Sequence, residues 1–231
     1  MKKEFAVTDN YKRFVAALSA ILSAPSGVDR MGLIYGDPGL GKTESAIKWV
    51  NDFGSGAVYV RTKKLMTGPW LLGEIVSELG ESPAYRTQDL FKQAEEVLRG
   101  TDRVVILDEV DYLAHDARVI ETIRDIHDMT NSPFIFIGMD QADKKLKRFR
   151  HLWRRFSQVV KYEPLGRHDI ENVLNQICEV GVDDLIIDYI CSSGELTVAV
   201  LYRWTMRIEQ IGKRAGKDKI TIDDMKSGKK K

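Results

Sequence analysis

Apolar residues along the chain fall into two patterns. The first is a set of short continuous runs: Met31–Tyr35, Ala57–Val60, Val104–Leu107 and Phe134–Ile137. Runs this short, flanked by Gly, Pro or acids, read as strands buried on both faces. The second is helical spacing. Residues 10–24 place Tyr11, Phe14, Val15, Leu18, Ile21 and Leu22 on one side, and Pro25-Ser26-Gly27 stops them. Helices are also expected at Glu44–Phe53, Pro69–Leu79, Thr87–Leu98 (with Thr87 as N-cap) and Ala117–Met129. Helices alternating with continuous apolar strands predict an α/β fold, a doubly wound parallel sheet covered on both faces. A last strand is expected at Gln158–Tyr162.

The pattern changes at Glu163-Pro164-Leu165-Gly166. Only helical segments follow: Arg167–Glu179, Asp183–Ser192 and Thr197–Ala215. The expected organisation is therefore an α/β nucleotide-binding domain over 1–163, including the N-terminal helix, and a helical lid with a basic tail over 164–231.

At 231 residues the chain is long enough to bury roughly 70–75% of its extended surface. Its 43% hydrophobic and 30% charged residues describe an ordinary folded protein. No run approaches the roughly 20 apolar residues of a membrane span, and no secretory signal is read at the start. Cys178 and Cys191 have neither metal-site nor disulfide-framework spacing, so two reduced core thiols and a cytoplasmic location are expected.

The net charge of +1 conceals an asymmetry. Residues 141–161 hold eight Lys/Arg against Asp143, whereas residues 104–128 hold seven acids against two arginines. The chain ends Lys229-Lys230-Lys231. An anionic partner is compatible with this distribution.

Gly36-Asp37-Pro38-Gly39-Leu40-Gly41-Lys42-Thr43 matches the phosphate-binding pattern GxxxxGK[ST] in full, between an apolar strand and the helix that Glu44 opens. Glycines let backbone amides curl around a phosphate, and the helix N-terminus adds its positive end. Lys42 is placed to reach the β- and γ-phosphate oxygens, and Thr43 to present its hydroxyl to Mg²⁺. The expected ligand is ATP with Mg²⁺. Further along, Val104-Val105-Ile106-Leu107 runs into Asp108-Glu109. Carboxylates at the carboxyl end of a buried strand lie where open α/β sheets bind ligands. Asp108 is assigned to Mg²⁺ and Glu109 to orienting and deprotonating the attacking water. Asp111 is read as a helix cap or surface residue. The strand ending at Ile137-Gly138-Met139-Asp140 is expected between the two motif strands, with Asp140 near the γ-phosphate and a water or basic residue between.

Residues Lys144–Arg155 are helical in pattern, with Leu146, Phe149, Trp153 and Phe156 apolar. Lys144, Lys145, Lys147, Arg148 and Arg150 form either a solvated face or a phosphate-binding surface. Arg154 or Arg155 is the candidate to reach the nucleotide of a neighbouring subunit, where arginine's rigid fork stabilises phosphate charge. Lys63 and Lys64, followed by Trp70, suit a nucleic-acid backbone; the alternative is an exposed loop with Trp70 in the core.

Together these motifs resemble the AAA+ ATPases over nearly the whole chain. Within that class AVYVRT with its basic loop, ILDEVDYL and FIGMDQADKKLKRFRHLWRRFSQVVKYEPL look most like the transposition regulators, the group of phage Mu transposition protein B, TnsC and IstB. The resemblance implies ATP-dependent assembly of homo-oligomers, filament or ring, on double-stranded DNA, capture of target DNA, and recruitment or stimulation of a transposase in a bacterial cytoplasm. Two departures stand out. Thr197, after Gly194-Glu195-Leu196, occupies the place where many AAA+ lids carry an arginine, with Arg203 two turns on. About 30 residues precede the first strand, too few for a separate DNA-binding domain, so DNA contacts fall to the ATPase core. A helicase loader or replication initiator, a nucleotide-gated adaptor with little hydrolysis, and a protein-remodelling ATPase are the rival readings. The last lacks an aromatic residue in Lys63-Lys64-Leu65-Met66.

Overall fold

The computed structural model describes residues 2, 4–25, 27–194 and 196–227. Glu195 and the basic tail Lys229–Lys231 lie outside them. The chain forms two interleaved units, one of residues 13–37 and 42–162 and the other of residues 1–12, 38–41 and 163–231.

Along the chain the first helix is α1 (Asp9–Leu22). Thr8 caps it, its Oγ1 accepting from Tyr11 N at 3.2 Å. Then come β1 (Met31–Tyr35), α2 (Lys42–Phe53), β2 (Ala57–Arg61), α3 (Gly68–Glu78), α4 (Thr87–Leu98) and β3 (Val104–Asp108). Next are α5 (Ala117–Thr130), β4 (Phe134–Gly138), α6 (Ala142–Leu146), α7 (Arg150–Trp153) and β5 (Phe156–Lys161). Pro69 sits in the first turn of α3, where a missing N–H costs no helical bond. Thr87 lies inside α4 rather than capping it; Arg86 is the cap residue and gives no side-chain bond.

The sheet unit is a five-stranded parallel sheet in the order β2-β3-β4-β1-β5. The strand ending at Gly138 does fall between the two motif strands. In β3 and β4 every residue is buried, the signature of strands with helices on both faces. The edge strand β5 instead alternates half-buried and exposed residues, because one face of it meets solvent. The sheet's apolar layer includes Leu33, Val105, Leu107, Phe134 and Phe136, with Ile75 and Ile123 packing from α3 and α5.

The basic segment after β4 is not one continuous helix. It breaks between α6 and α7, with Phe149 at φ −93°, ψ 78°. Leu146 and Leu152 are fully buried, and Phe149 and Trp153 pack partly against the same core. The break lets one short segment bury apolar residues from both pieces.

In the second unit are α8 (Arg167–Ile177), β6 (Gly181–Val182), α9 (Asp184–Cys191), α10 (Val198–Ala215), β7 (Lys219–Ile220) and α11 (Ile222–Ser227). Its core gathers Ile170, Leu174, Ile177, Ile186, Ile190 and Ile208. Asp183 and Thr197 cap α9 and α10, accepting from Ile186 N and Val200 N. The segment after Pro164 is not purely helical, since β6 and β7 form a two-residue parallel ladder. Val7 and Asp9 tie into this unit: Val7 N donates to Gln176 Oε1 at 3.0 Å and Asp9 N to Asp169 Oδ1 at 2.6 Å. Cys178, which is buried, and Cys191 are free thiols, and burial raises the Cys178 pKa.

Candidate functional site

The loop from Gly36 to Thr43 follows β1 and leads into α2. Gly36 has φ +151°, and a Cβ there would lie 2.8 Å from Tyr162 O, so both conformation and space call for glycine. Gly39 and Gly41 also have positive φ, at +81° and +88°. Asp37 and Pro38 are exposed, while Leu40 is buried at 2% exposure and anchors the loop. Within the helical unit, Val198 N at the start of α10 donates to Gly39 O at 2.9 Å, and a Cβ on Gly39 would meet Thr197 Cβ at 3.2 Å. The residues at the place of the lid arginine thus pack on the loop backbone. Arg203, further along α10, is exposed.

Lys42 is the first residue of α2, and its Nζ donates to Gly36 O and Asp37 O at 2.7 Å each. Burial holds its ammonium below the usual lysine range, with the Asp108 charge opposing that shift. A half-buried cation resting on two neutral carbonyls has a better partner in an anion. Glu44 is exposed in the first turn of α2, where its charge favours the helix N-terminus.

The two sequence motifs meet at the end of β3. Thr43 Oγ1 donates to Asp108 Oδ2 at 2.7 Å, and Tyr59 OH donates to the same oxygen at 2.7 Å. Glu109 N donates to Asp108 Oδ1 at 2.7 Å. Asp108 is 2% exposed, so each of these bonds offsets desolvation of its charge. Burial, then the bond to Asp108, raises the Tyr59 pKa far above its ordinary value, and the phenol remains a donor. Glu109 is left-handed at φ 59°, ψ 36°, a conformation that costs a non-glycine residue about 1–3 kcal/mol. Its carboxylate is ion-paired with Arg61 of β2, and its carbonyl accepts from Thr62 Oγ1 at 2.7 Å. Tyr59 and Arg61 were not singled out from sequence. The available signal was their alternation on β2: the register sets Arg61 beside Asp108, with Tyr59 two residues back on the same face.

Asp140 follows β4, and its Oδ1 lies 3.3 Å from Lys161 Nζ. Asp111 is neither cap nor surface residue. Its side chain is 8% exposed and ties the ends of β3 and β4 together, accepting from Met139 N at 2.6 Å and Lys145 Nζ at 2.8 Å.

The two candidate arginines differ. Arg155 is held by Asp128 through bonds of 2.8 and 3.0 Å, with Asp29 at 3.7 Å. Arg154 is exposed, and its side chain has no hydrogen bond or ion pair among the described residues. Of the expected DNA-binding cations, Lys147 pairs with Asp143 at 3.1 Å and lies 5.0 Å from the Trp153 ring. Lys144, Arg148 and Arg150 are exposed or nearly so and likewise without a pair among the described residues. Lys63 Nζ donates to Glu74 Oε1 at 2.9 Å and lies over Trp70, which is 42% exposed rather than in the core. Lys64 is exposed.

A glycine-rich turn between a buried parallel strand and a helix, joined through Thr43 to an aspartate at the end of another strand, defines a P-loop nucleotide-binding protein. The sequence profile of the AAA domain matches residues 27–146, just over half of the chain, and the chain belongs to that family. It is 24% identical to a "Potential ATP-binding protein" of Staphylococcus aureus, covering 96% of this chain and 93% of that one. It is 27% identical to the ATP-dependent target DNA activator B of Escherichia phage Mu, over 60% of this chain and 45% of the phage protein. Among solved structures, the Aeropyrum pernix ORC1 protein in complex with DNA matches 99% of the chain and 66% of its own, with a TM-score of 0.64 at 14% identity. The chain thus spans less than half of the phage relative and about two thirds of ORC1. No helix among the described residues is long and apolar enough to cross a membrane.

Proposed function

We propose that this protein is a DNA-binding ATPase that assembles on double-stranded DNA with ATP and regulates transposition through a transposase, and that hydrolysis dissolves the assembly. The observation that carries the chemistry is the 2.7 Å bond joining Thr43 to Asp108, which brings the two motifs to one point. The likeness to the phage target DNA activator supports the transposition setting.

The residues fit ATP and Mg²⁺. Thr43 and Asp108 are hard oxygen donors side by side, the set Mg²⁺ takes. Held by Thr43 and Asp108, Mg²⁺ would supply charge neutralisation for the phosphates. Lys42 leaves the carbonyls of Gly36 and Asp37 to reach the phosphates, joined by the amides of the loop. Glu109 accepts the proton of the attacking water once its carboxylate is released from Arg61. Arg154, whose side chain has no partner among the described residues, is the arginine offered to a neighbouring copy, while Arg155 braces the segment through Asp128. Lys64, Lys144, Arg148 and Arg150 supply DNA phosphate contacts, with Lys63, Lys145 and Lys147 held by local partners beside them.

The test is ATP turnover with and without duplex DNA, with electron microscopy of the same samples. DNA-stimulated turnover and ATP-dependent filaments or rings are expected, and Lys42→Ala should abolish both. Turnover indifferent to DNA, with no assembly on it, rejects the reading. A nucleotide-gated adaptor that scarcely hydrolyses is a second reading, favoured by the Arg61–Glu109 pair; negligible turnover with ATP-dependent DNA assembly intact would establish it. The fold likeness to ORC1 favours an initiator or helicase-loader role, and co-purification of a helicase instead of a transposase would decide for that.

A further inference from the structure

Helix α10 buries one face and charges another. Leu201, Thr205, Ile208 and Gly212 are buried. Arg203, Arg207 and Arg214 recur after four and seven residues, which aligns them on one stripe about 16 Å long. The helix has one acid, Glu209, which is 6% exposed and accepts from Glu179 N, away from that stripe. Lys213 is set apart by its proximity to Glu179. The side chains of Arg203 and Arg214 have no hydrogen bond or ion pair among the described residues. Arg207 lies 5.6 Å from the centre of the Trp204 ring, which Tyr189 meets edge-on at 5.8 Å. Ser193, Val200, Arg203, Trp204 and Arg207 line a depression of about 310 Å³, and no acid among the described residues contributes to it.

Elsewhere on this chain exposed arginines such as Arg99, Arg118 and Arg167 pair with nearby acids. Along the α10 stripe no acid among the described residues pairs with Arg203 or Arg214, and the Trp204 ring lies beside Arg207. A row of guanidinium groups beside an indole suits a regular polyanion with stackable or apolar flanks. The stripe is as long as about five base steps of one DNA strand.

We propose that the Arg203–Arg207–Arg214 stripe with Trp204 is a phosphodiester-binding surface of the helical unit. It adds a nucleic-acid contact to those proposed for the Lys63–Lys64 loop and the 144–150 segment. This rests on the DNA-binding reading of the chain and adds a site to it.

The experiment is arginine modification with phenylglyoxal, quantified peptide by peptide on the full chain. It is run alone, with a 30-base-pair duplex, and with poly-glutamate of equal charge, while anisotropy of the labelled duplex reports binding. The duplex should shield Arg203 and Arg214, and poly-glutamate should not. In parallel, Arg203→Gln with Arg214→Gln should reduce the slope of log affinity against log salt by about 1.8, one 0.9 step for each phosphate lost. Nucleotide binding by that variant should be unchanged, which reports that it is folded. Unshielded arginines in a sample that binds duplex overturn the α10 site and leave the DNA reading standing. No duplex binding at all overturns both. Shielding by poly-glutamate alone overturns the phosphodiester assignment in favour of an acidic protein surface.

Discussion

The carboxyl end of β3 and the segment between β4 and β5 carry opposite charge and handle it in opposite ways. Asp108 is 2% exposed, and three donors reach its two oxygens within 2.7 Å. Glu109 is held by Arg61. After β4, Arg155 and Lys147 are tied to acids, yet Arg148, Arg150 and Arg154 extend unpaired among the described residues. The physical reason is desolvation. A buried carboxylate without donors costs several kcal/mol, whereas an exposed guanidinium is served by water. Buried charge is therefore satisfied within the chain, and exposed charge is left to solvent or to contacts outside it.

The sharpest break in this contrast separates two adjacent arginines. Arg154→Ala should lower turnover of the assembled protein by about 10³-fold while each copy stays folded and binds nucleotide. Arg155→Ala should instead cost about 1 kcal/mol of stability through the loss of its bond to Asp128, seen as a lower melting temperature. Equal losses of turnover in folded variants would erase the distinction between them. Next in size, Glu109→Gln should reduce turnover by about 10²-fold or more with ATP binding retained, leaving assemblies that persist under the microscope. Ordinary turnover in that variant removes Glu109 from the role of base.

Tyr59→Phe sharpens the acidic side. Loss of one neutral donor to Asp108 should weaken Mg²⁺-dependent nucleotide binding about fivefold, measured by titrating Mg²⁺ against a fluorescent nucleotide, with Mg²⁺-free binding unchanged. A matching loss without Mg²⁺ would show that Tyr59 supports the fold rather than Asp108. The smallest expected effect has the opposite sign. Arg61→Ala should raise DNA-free turnover about two- to threefold, because the exposed pair restraining Glu109 is worth under about 1 kcal/mol. A fall in turnover would mean that Arg61 assists Glu109 instead of restraining it.

Much of this was readable along the chain because it depends on local order. A phosphate loop is a contiguous backbone shape, so Gly36–Thr43 could be located from spacing alone. The central strands β3 and β4 were found because burial on both faces leaves unbroken apolar runs. Helical periodicity misled at Lys144–Arg155, where Phe149 interrupts the backbone although the apolar spacing continues. It also missed β6 and β7, whose two-residue ladder joins segments nearly forty positions apart. Asp111 was misplaced because an acid can be held inside by Met139 N and Lys145.

Residue order alone was enough to establish the class of site, since glycine spacing, strand hydrophobicity and the acids at a strand end are all local properties. Pairing between distant positions required the folded chain. Strand register brings Arg61 beside Glu109 and Tyr59 onto Asp108, across about fifty residues of sequence. The same dependence separates Arg154 from Arg155: the two are chemically identical neighbours, and only Arg155 is brought to Asp128.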